Sequence, residues 1–352
     1  MMEMLILPEL IVLGTAFAII LADLFIAERH RPLLGWLAVL GLAAAAVLAV
    51  AFVPMEGQMF GGRFAMDSVT WWFKLLFLAA ALITALLSMD LLEGRATAAS
   101  TSRYGFRGEY YAILLFTVAG MLFLASARDL ATLYVSLELT TIPLFILAAW
   151  KKDAFSTEAG LKYLVLGALA SALLLYGLGI FYGLAGGATD LVSLGRLDPA
   201  NAAFWLAAAL VTAGVGFKMT IVPFHFWAAD VYQGAPTPVT AYLSVASKGA
   251  GLVLMFHLFY RILGRSLGDL TTLLAVLAAT TMTVGNLAAV TQKNIKRLMA
   301  FSAVSQAGYL IMGFIGRGGE NVPAMIFYMV IYVVTNLAVF SAIIIHSNET
   351  GS

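Results

Sequence analysis

The chain has 352 residues, 62% hydrophobic and only 11% charged, with a formal net charge of +1 and a mean hydropathy of +0.96. Those values exclude a soluble globular domain and give no charge basis for binding nucleic acid. With no cysteine there is no disulfide, thiolate metal site or cysteine-ligated cluster, and His30, His225, His257 and His346 show no metal-ligand spacing.

Apolar runs of 18 or more residues recur to the end of the chain, continuous rather than alternating. That pattern predicts an all-α polytopic membrane protein and excludes a β-barrel. Eleven spans are expected, at 4–26, 33–53, 66–90, 109–126, 129–150, 157–184, 201–229, 236–260, 269–290, 295–315 and 322–345. The leading residues carry Glu3 and Glu9 instead of basic residues, and Arg29 and Arg31 follow the first apolar run, the reverse of a cleaved signal. The longest loop, 91–108, separates an N-terminal trio of spans from the rest.

The seventh span is too long to be one helix. Asn201 to Gly234 is 34 residues, roughly 50 Å of unbroken helix against a bilayer core of about 30 Å. Gly214, Gly216 and Pro223 mark the expected break, because Pro223 cannot donate to the carbonyl of Met219. Backbone groups freed there survive in lipid only where protein or water satisfies them. Lys218 lies beside that break.

Basic residues set the orientation. One set of loops carries Arg29, Arg31, Arg95, Arg103, Arg107, Lys151, Lys152, Lys293, Lys296 and Arg297, and the other carries Arg63, Arg128, Arg196, Arg261, Arg265 and Arg317. The richer side is expected to be cytoplasmic, with the N-terminus outside.

The remaining lysines, Lys74, Lys162, Lys218 and Lys248, fall within spans. A charge at mid-bilayer costs about 2.5–3.5 kcal/mol on insertion scales, so each needs a reason. Glu138 lies near mid-depth of the fifth span, with Tyr134 and Thr141 on its face. It reads as a proton-handling carboxylate or as one half of a structural salt bridge. Lys248 lies on a stripe with Thr240, Ser244, Ser247 and Gly251, which suggests a hydrated path. Interhelical hydrogen bonding explains those hydroxyls but not the lysine. Lys162 lies near a span end and reads equally as functional or as snorkelling to the surface. Lys74 follows Trp71 and Trp72 and reads as a snorkelling lysine in an aromatic belt. Asp23 and Asp90 read as interfacial. His225, at the break, is a candidate proton carrier or a packed, hydrogen-bonded ring; His257 reads as packing. An ammonium in low dielectric gives up its proton more readily, and a nearby carboxylate opposes that. These residues alone therefore outline a lysine–glutamate proton relay at a broken helix.

FKMTIVPFHFWAADVYQGAPTPVTAYLSVASKGAG (217–251) resembles the N-type membrane subunits of proton-pumping NADH:quinone oxidoreductase, respiratory complex I. YVSLELTTIPLFILAAWKKD (134–153), STEAGLKYLVLGALASALLLYG (156–177) and QKNIKRLMAFSAVSQAGYLIMGF (292–314) carry the same resemblance. The VYQGAP and TPVTAYL motifs distinguish it from the related L and M subunits and from cation/proton antiporter subunits.

The resemblance implies an antiporter-like bundle of two inverted five-helix repeats, each with a broken helix. It implies proton translocation driven by quinone reduction in neighbouring subunits, and the relay residues Glu138, Lys162, Lys218 and Lys248, with His225 at the break. No cofactor is expected in this chain; NADH, flavin, iron–sulfur clusters and quinone belong to partner subunits. The expected partners are the neighbouring antiporter-like and small membrane subunits and the lipid bilayer, in the cell (inner) membrane. Residues 1–103 would be an N-terminal three-helix segment, 104–265 the first repeat and 266–352 an incomplete second repeat. The family pattern continues past an eleventh helix, so the chain, which stops at HSNETGS, is expected to be a fragment. Two departures stand out: Ala228-Ala229 where the family has Thr-Pro, and Gln306 where it often has histidine. The alternatives are a subunit of a multisubunit sodium/proton antiporter and a non-conducting membrane scaffold.

Overall fold

The computed structural model describes residues 2–51, 55–93, 107–316 and 321–350. Arg95, Arg103, Arg317 and the expected 103/104 boundary lie outside the described residues. The helices are α1 (Leu7–Phe25), α2 (Pro32–Ala51), α3 (Ser68–Glu93), α4 (Arg107–Ser126), α5 (Leu130–Ala148), α6 (Ala154–Leu184), α7 (Leu191–Leu194), α8 (Ala202–Met219), α9 (Trp227–Gly234), α10 (Thr237–Met255), α11 (Leu267–Val290), α12 (Ile295–Met312) and α13 (Asn321–Thr350). All eleven expected spans are helical. Among the described residues, ten helices are long and apolar enough to cross a membrane; α12, with Lys296 and Arg297 in its first turn, is more polar.

Polar residues at the span ends start several helices. Asp129 caps α5 by accepting from the amides of Ala131 (2.9 Å) and Thr132 (3.0 Å), Asp153 caps α6 through Ser156 (2.7 Å), and Asn201 caps α8 through Ala203 (2.9 Å). Elsewhere apolar side chains such as Leu21, Val135, Leu161 and Val276 stay on the surface, as a lipid-facing surface requires.

Every residue of α10 from Pro238 to Met255 is buried, so this helix is the axis of the bundle and α3, α8 and α13 pack on it. A side chain on α10 cannot snorkel. The sequence did not foretell a small antiparallel hairpin between α2 and α3, β1 (Gly57–Met59) with β2 (Phe64–Met66), or the π-helical turn Phe256–Ile262 that continues α10.

The break in the seventh span lies after the two glycines, not at them. Gly214 and Gly216 are inside α8, which ends at Met219. Thr220 takes the left-handed conformation (φ 59°), and the amide of Ile221 closes the helix end by donating to Gly216 (2.8 Å). Gly216 serves packing instead: a Cβ there would lie 2.6 Å from the ring of Phe224. The backbone groups freed by the break are met by protein. Trp227 Nε1 donates to the carbonyl of Phe217 (3.0 Å), and the amide of Val222 donates to Thr281 Oγ1 on α11 (3.1 Å).

Candidate proton-relay site

Three of the expected residues converge on the break. Lys218, on the last turn of α8, is 3% exposed, and its Nζ donates to Thr141 Oγ1 on α5 at 2.8 Å. Lys248, on α10, is 1% exposed and donates to Thr220 Oγ1, in the break itself, at 2.5 Å. Its Nζ also lies 5.6 Å from the ring centroid of Trp227. The two ammonium groups are near enough to repel each other, and Glu138 attracts Lys218. Gly251 makes this approach possible: a Cβ there would come within 2.5 Å of Met219 Sδ and 3.4 Å of Lys218 Cγ.

Glu138 is half-buried, and its Oε1 accepts from Ser171 Oγ on α6, which in turn bonds the hydroxyl of Tyr134 (2.9 Å). Thr141, the Lys218 partner, lies three residues further along α5, roughly 4.5 Å of helical rise. The carboxylate and the ammonium groups are therefore each held by hydroxyls. Among the described residues, neither Lys218 nor Lys248 is within salt-bridge distance of a carboxylate. His225 sits in the break at 7% exposure with Nδ1 lacking a hydrogen-bond partner.

Lys162 is elsewhere. Its side chain is 41% exposed and pairs with Asp230 (2.7 Å) and Glu158 (2.8 Å). Arg297 closes this cluster by donating to Asp230 (2.6 Å) and Gln233 (2.9 Å). Asp230 links α6, α9 and α12 at the end of the bundle that carries Lys296. Gln306 accepts from Tyr328 and lines a cavity of about 380 Å³ between α12 and α13. His257 is buried and its Nε2 lies 2.9 Å from the carbonyl of Leu124, the packing role expected of it.

Lys74 does not snorkel. It and Glu9 are both fully buried, their charged atoms 2.6 Å apart, with Nζ 4.8 Å from the ring centroid of Phe64. The aromatic-belt reading fails because Trp71 turns inward to donate to the carbonyl of Ala49 (2.9 Å), and because α1 brings a carboxylate opposite Lys74. Removing one partner of such a pair strands a charge. Lys74→Met should destabilise the protein by about 3–5 kcal/mol, whereas Glu9→Leu combined with Lys74→Met should be nearly neutral. Denaturation midpoints of the two variants in detergent check this; equal losses would show that the charges contribute nothing as a pair.

Residues 127–352 match the family model described as NADH:quinone oxidoreductase/Mrp antiporter, TM. The chain is 39% identical to NADH-quinone oxidoreductase subunit N of Dehalococcoides mccartyi over 363 residues, covering 98% of this chain and 73% of the relative. It is 40% identical to the same subunit of Moorella thermoacetica over 351 residues, covering 98% and 71%. The chain belongs to the NADH-quinone oxidoreductase subunit N family. Among solved structures, respiratory complex I from Thermus thermophilus contains a chain that superimposes with a TM-score of 0.78 at 32% identity, covering 95% of this chain and 69% of that one. The Mrp complex from Dietzia sp. DQ12-45-1b shares the fold (TM-score 0.77, 24% identity, covering 96% and 64%). The subunit N relatives thus place the chain with the quinone-oxidoreductase branch of an antiporter-like fold, in agreement with its VYQGAP motif.

Sequence reasoning missed Ser171, Thr220, Asp230 and Glu9. Thr220 carried a signal, a hydroxyl between two lysines and a proline on a broken span. The other three are paired across distant helices and carried none.

Proposed function

We propose that this chain translocates protons across the cell membrane within an NADH:quinone oxidoreductase, coupled to quinone reduction in partner subunits. NADH, flavin, iron–sulfur clusters and quinone act in those partners, and the neighbours of this chain are other antiporter-like and small membrane subunits. The observation that carries the reading is the pair Lys218 and Lys248: two buried lysines at a helix break, each held by a threonine hydroxyl, with one carboxylate, Glu138, acting on Lys218. A structural salt bridge would put a carboxylate on each. Two like charges near one counter-charge favour an arrangement that holds one proton and passes on the other.

Glu138 holds the proton on Lys218 when the two are close, and Lys248 receives it when Lys218 is released. Thr220 and His225 both lie in the break, where Thr220 accepts from Lys248. Lys162, tied to Asp230 and Arg297, supplies protons from the Lys296 end, which the basic asymmetry makes cytoplasmic, with the N-terminus outside. We take 1–103 as an accessory three-helix segment, 104–265 as the first repeat and 266–352 as part of the second.

One experiment in inside-out vesicles tests both direction and residue. Lys293→Cys should react with an impermeant thiol reagent while NADH oxidation acidifies the lumen, and Glu138→Gln in the assembled complex should lower acidification about tenfold or more. Full acidification with glutamine at 138 would remove the carboxylate from the mechanism, and a protected residue 293 would invert the orientation.

A further inference from the structure

The hydroxyl stripe of α10 meets hydroxyls from its neighbours. Tyr163 on α6, Tyr232 on α9 and Ser247 on α10 are each 0% exposed. Among the described residues, the side-chain oxygen of none of the three has a hydrogen-bond partner. A hydroxyl sealed from solvent without a partner bears the whole cost of its lost hydration, so such groups are normally satisfied by protein or by ordered water.

The three belong to one place. The ring of Tyr163 stacks on the indole of Trp227, with centroids 4.5 Å apart and planes 11° from parallel, and stands edge-on to Phe145 at 4.7 Å. Its hydroxyl is close enough to Ser247 to interact, without reaching the geometry of a direct hydrogen bond. Tyr232 packs edge-on to the same indole at 6.4 Å, and its hydroxyl is within electrostatic reach of those of Tyr163 and Tyr332. Tyr332 is already committed, donating to the carbonyl of Ser244 at 3.1 Å. Lys248 follows Ser247 in the chain, and its Nζ lies 5.6 Å from the Trp227 ring centroid. Three helices thus bring unpartnered hydroxyls together beside Lys248. A polar contact that falls short of a direct bond is where a bridging water belongs, and a buried water needs about two to four polar partners.

The same two outer helices carry charge on their other side. Lys162 precedes Tyr163 on α6, and Asp230 lies two residues before Tyr232 on α9. Lys162 and Asp230 bond each other at 2.7 Å with the lysine side chain 41% exposed, so that ammonium stays at the surface. Lys162 and Tyr163 differ by only about 1.5 Å in depth along α6. The charged pair and the hydroxyls are therefore the outside and the inside of one level of the bundle.

We propose that Tyr163, Tyr232 and Ser247 bind a small cluster of ordered water that carries protons from the Lys162–Asp230 pair to Lys248, with Tyr163 as the positioning residue of the cluster. The proposal rests on the relay reading and gives its Lys162 step a route. A hydroxyl both donates and accepts, as water does, so the chain needs no titrating group of its own. The proton released by Lys162 enters at one end. Each water then takes one proton and gives another, and the neutral amine of Lys248 gains one at the far end. The hydroxyls are unchanged after each transfer.

Tyrosine to phenylalanine removes one oxygen and keeps the ring, so it separates holding water from packing. In vesicles carrying the assembled respiratory complex, Tyr163→Phe should lower NADH-driven acidification severalfold, and Tyr163→Phe with Tyr232→Phe should lower it further. Ser247→Ala, on a different helix, should match the single tyrosine variant and gives the same reading should that variant fail to assemble. The readout that packing would not move is the solvent isotope effect: heavy water should slow pumping more in Tyr163→Phe than in the parent, because transfer across the interrupted chain becomes limiting. Lys248→Met, measured alongside, separates the two readings. Slow Tyr163→Phe beside parental Lys248→Met supports the water cluster and removes Lys248 as its acceptor, so that the relay reading fails alone. Assembled Tyr163→Phe and Ser247→Ala complexes with parental pumping would overturn the water cluster and leave the lysine relay standing. Slower pumping with an unchanged isotope effect would overturn it as well, because the oxygens would then serve only packing.

Discussion

Lys218→Ala in the assembled complex should lower proton pumping by about 10²-fold or more, the usual loss when a positioned proton carrier is removed. The expected size follows from the surroundings of the ammonium. At 3% exposure, with Thr141 as its hydrogen-bond acceptor and Glu138 as its nearest counter-charge, Lys218 has no neighbouring amine on α8 that could replace it. Alanine also takes from the Glu138 carboxylate the charge it attracts. Quinone reduction should fall with pumping where the two are tightly coupled. Vesicle acidification and quinone reduction, measured on the same membranes with subunit content checked by blotting, separate this outcome from failed assembly.

Lys248→Ala should cost a comparable factor for a different reason. Lys248 donates to Thr220, the left-handed residue that ends α8, so it reads the state of the break directly. Its charge also opposes that of Lys218. Alanine removes the acceptor of the relayed proton, leaving Lys218 loaded beside Glu138. Lys248→Met fills the site without a charge and should behave as alanine does; pumping within twofold of the parent by an assembled methionine variant would show that Lys248 is only packing. That comparison is informative because α10 is buried along its length, so a truncated side chain there also leaves a cavity.

The spans were legible because lipid imposes one requirement on long stretches of chain, continuous apolarity, and ten of the eleven expected spans follow it, α12 being the more polar exception. The relay lysines were legible for the converse reason: an ammonium in such a stretch is costly and has few explanations. The break was legible in existence, and Pro223, one of its expected markers, lies within it, but the two glycines do not mark it. Gly216 is small to admit Phe224, while the turn is made by Thr220, a β-branched residue that sequence preference would not choose for φ > 0. Long-range pairings were the least legible. Lys74 looks interfacial beside Trp71 and Trp72 until α1 sets Glu9 against it. Asp67, Arg128 and Arg261 look like ordinary loop charges until three separate connections bring them together. Lys162 was expected with the other lysines, but its ammonium is held by Asp230, which nothing local to α6 foretells.

The claim that Lys218 carries protons, rather than anchoring a charge, is tested most directly by Lys218→Arg. Arginine keeps the positive charge and can still donate to Thr141, but with a pKa above about 12 it does not release a proton. The measurement is the rate of NADH-driven proton uptake into vesicles holding the assembled Lys218→Arg complex, set beside that of Lys218→Ala. The relay predicts that both variants pump at the same depressed rate. Parental pumping with arginine, and loss only with alanine, would show that Lys218 is a fixed charge and that protons take another path.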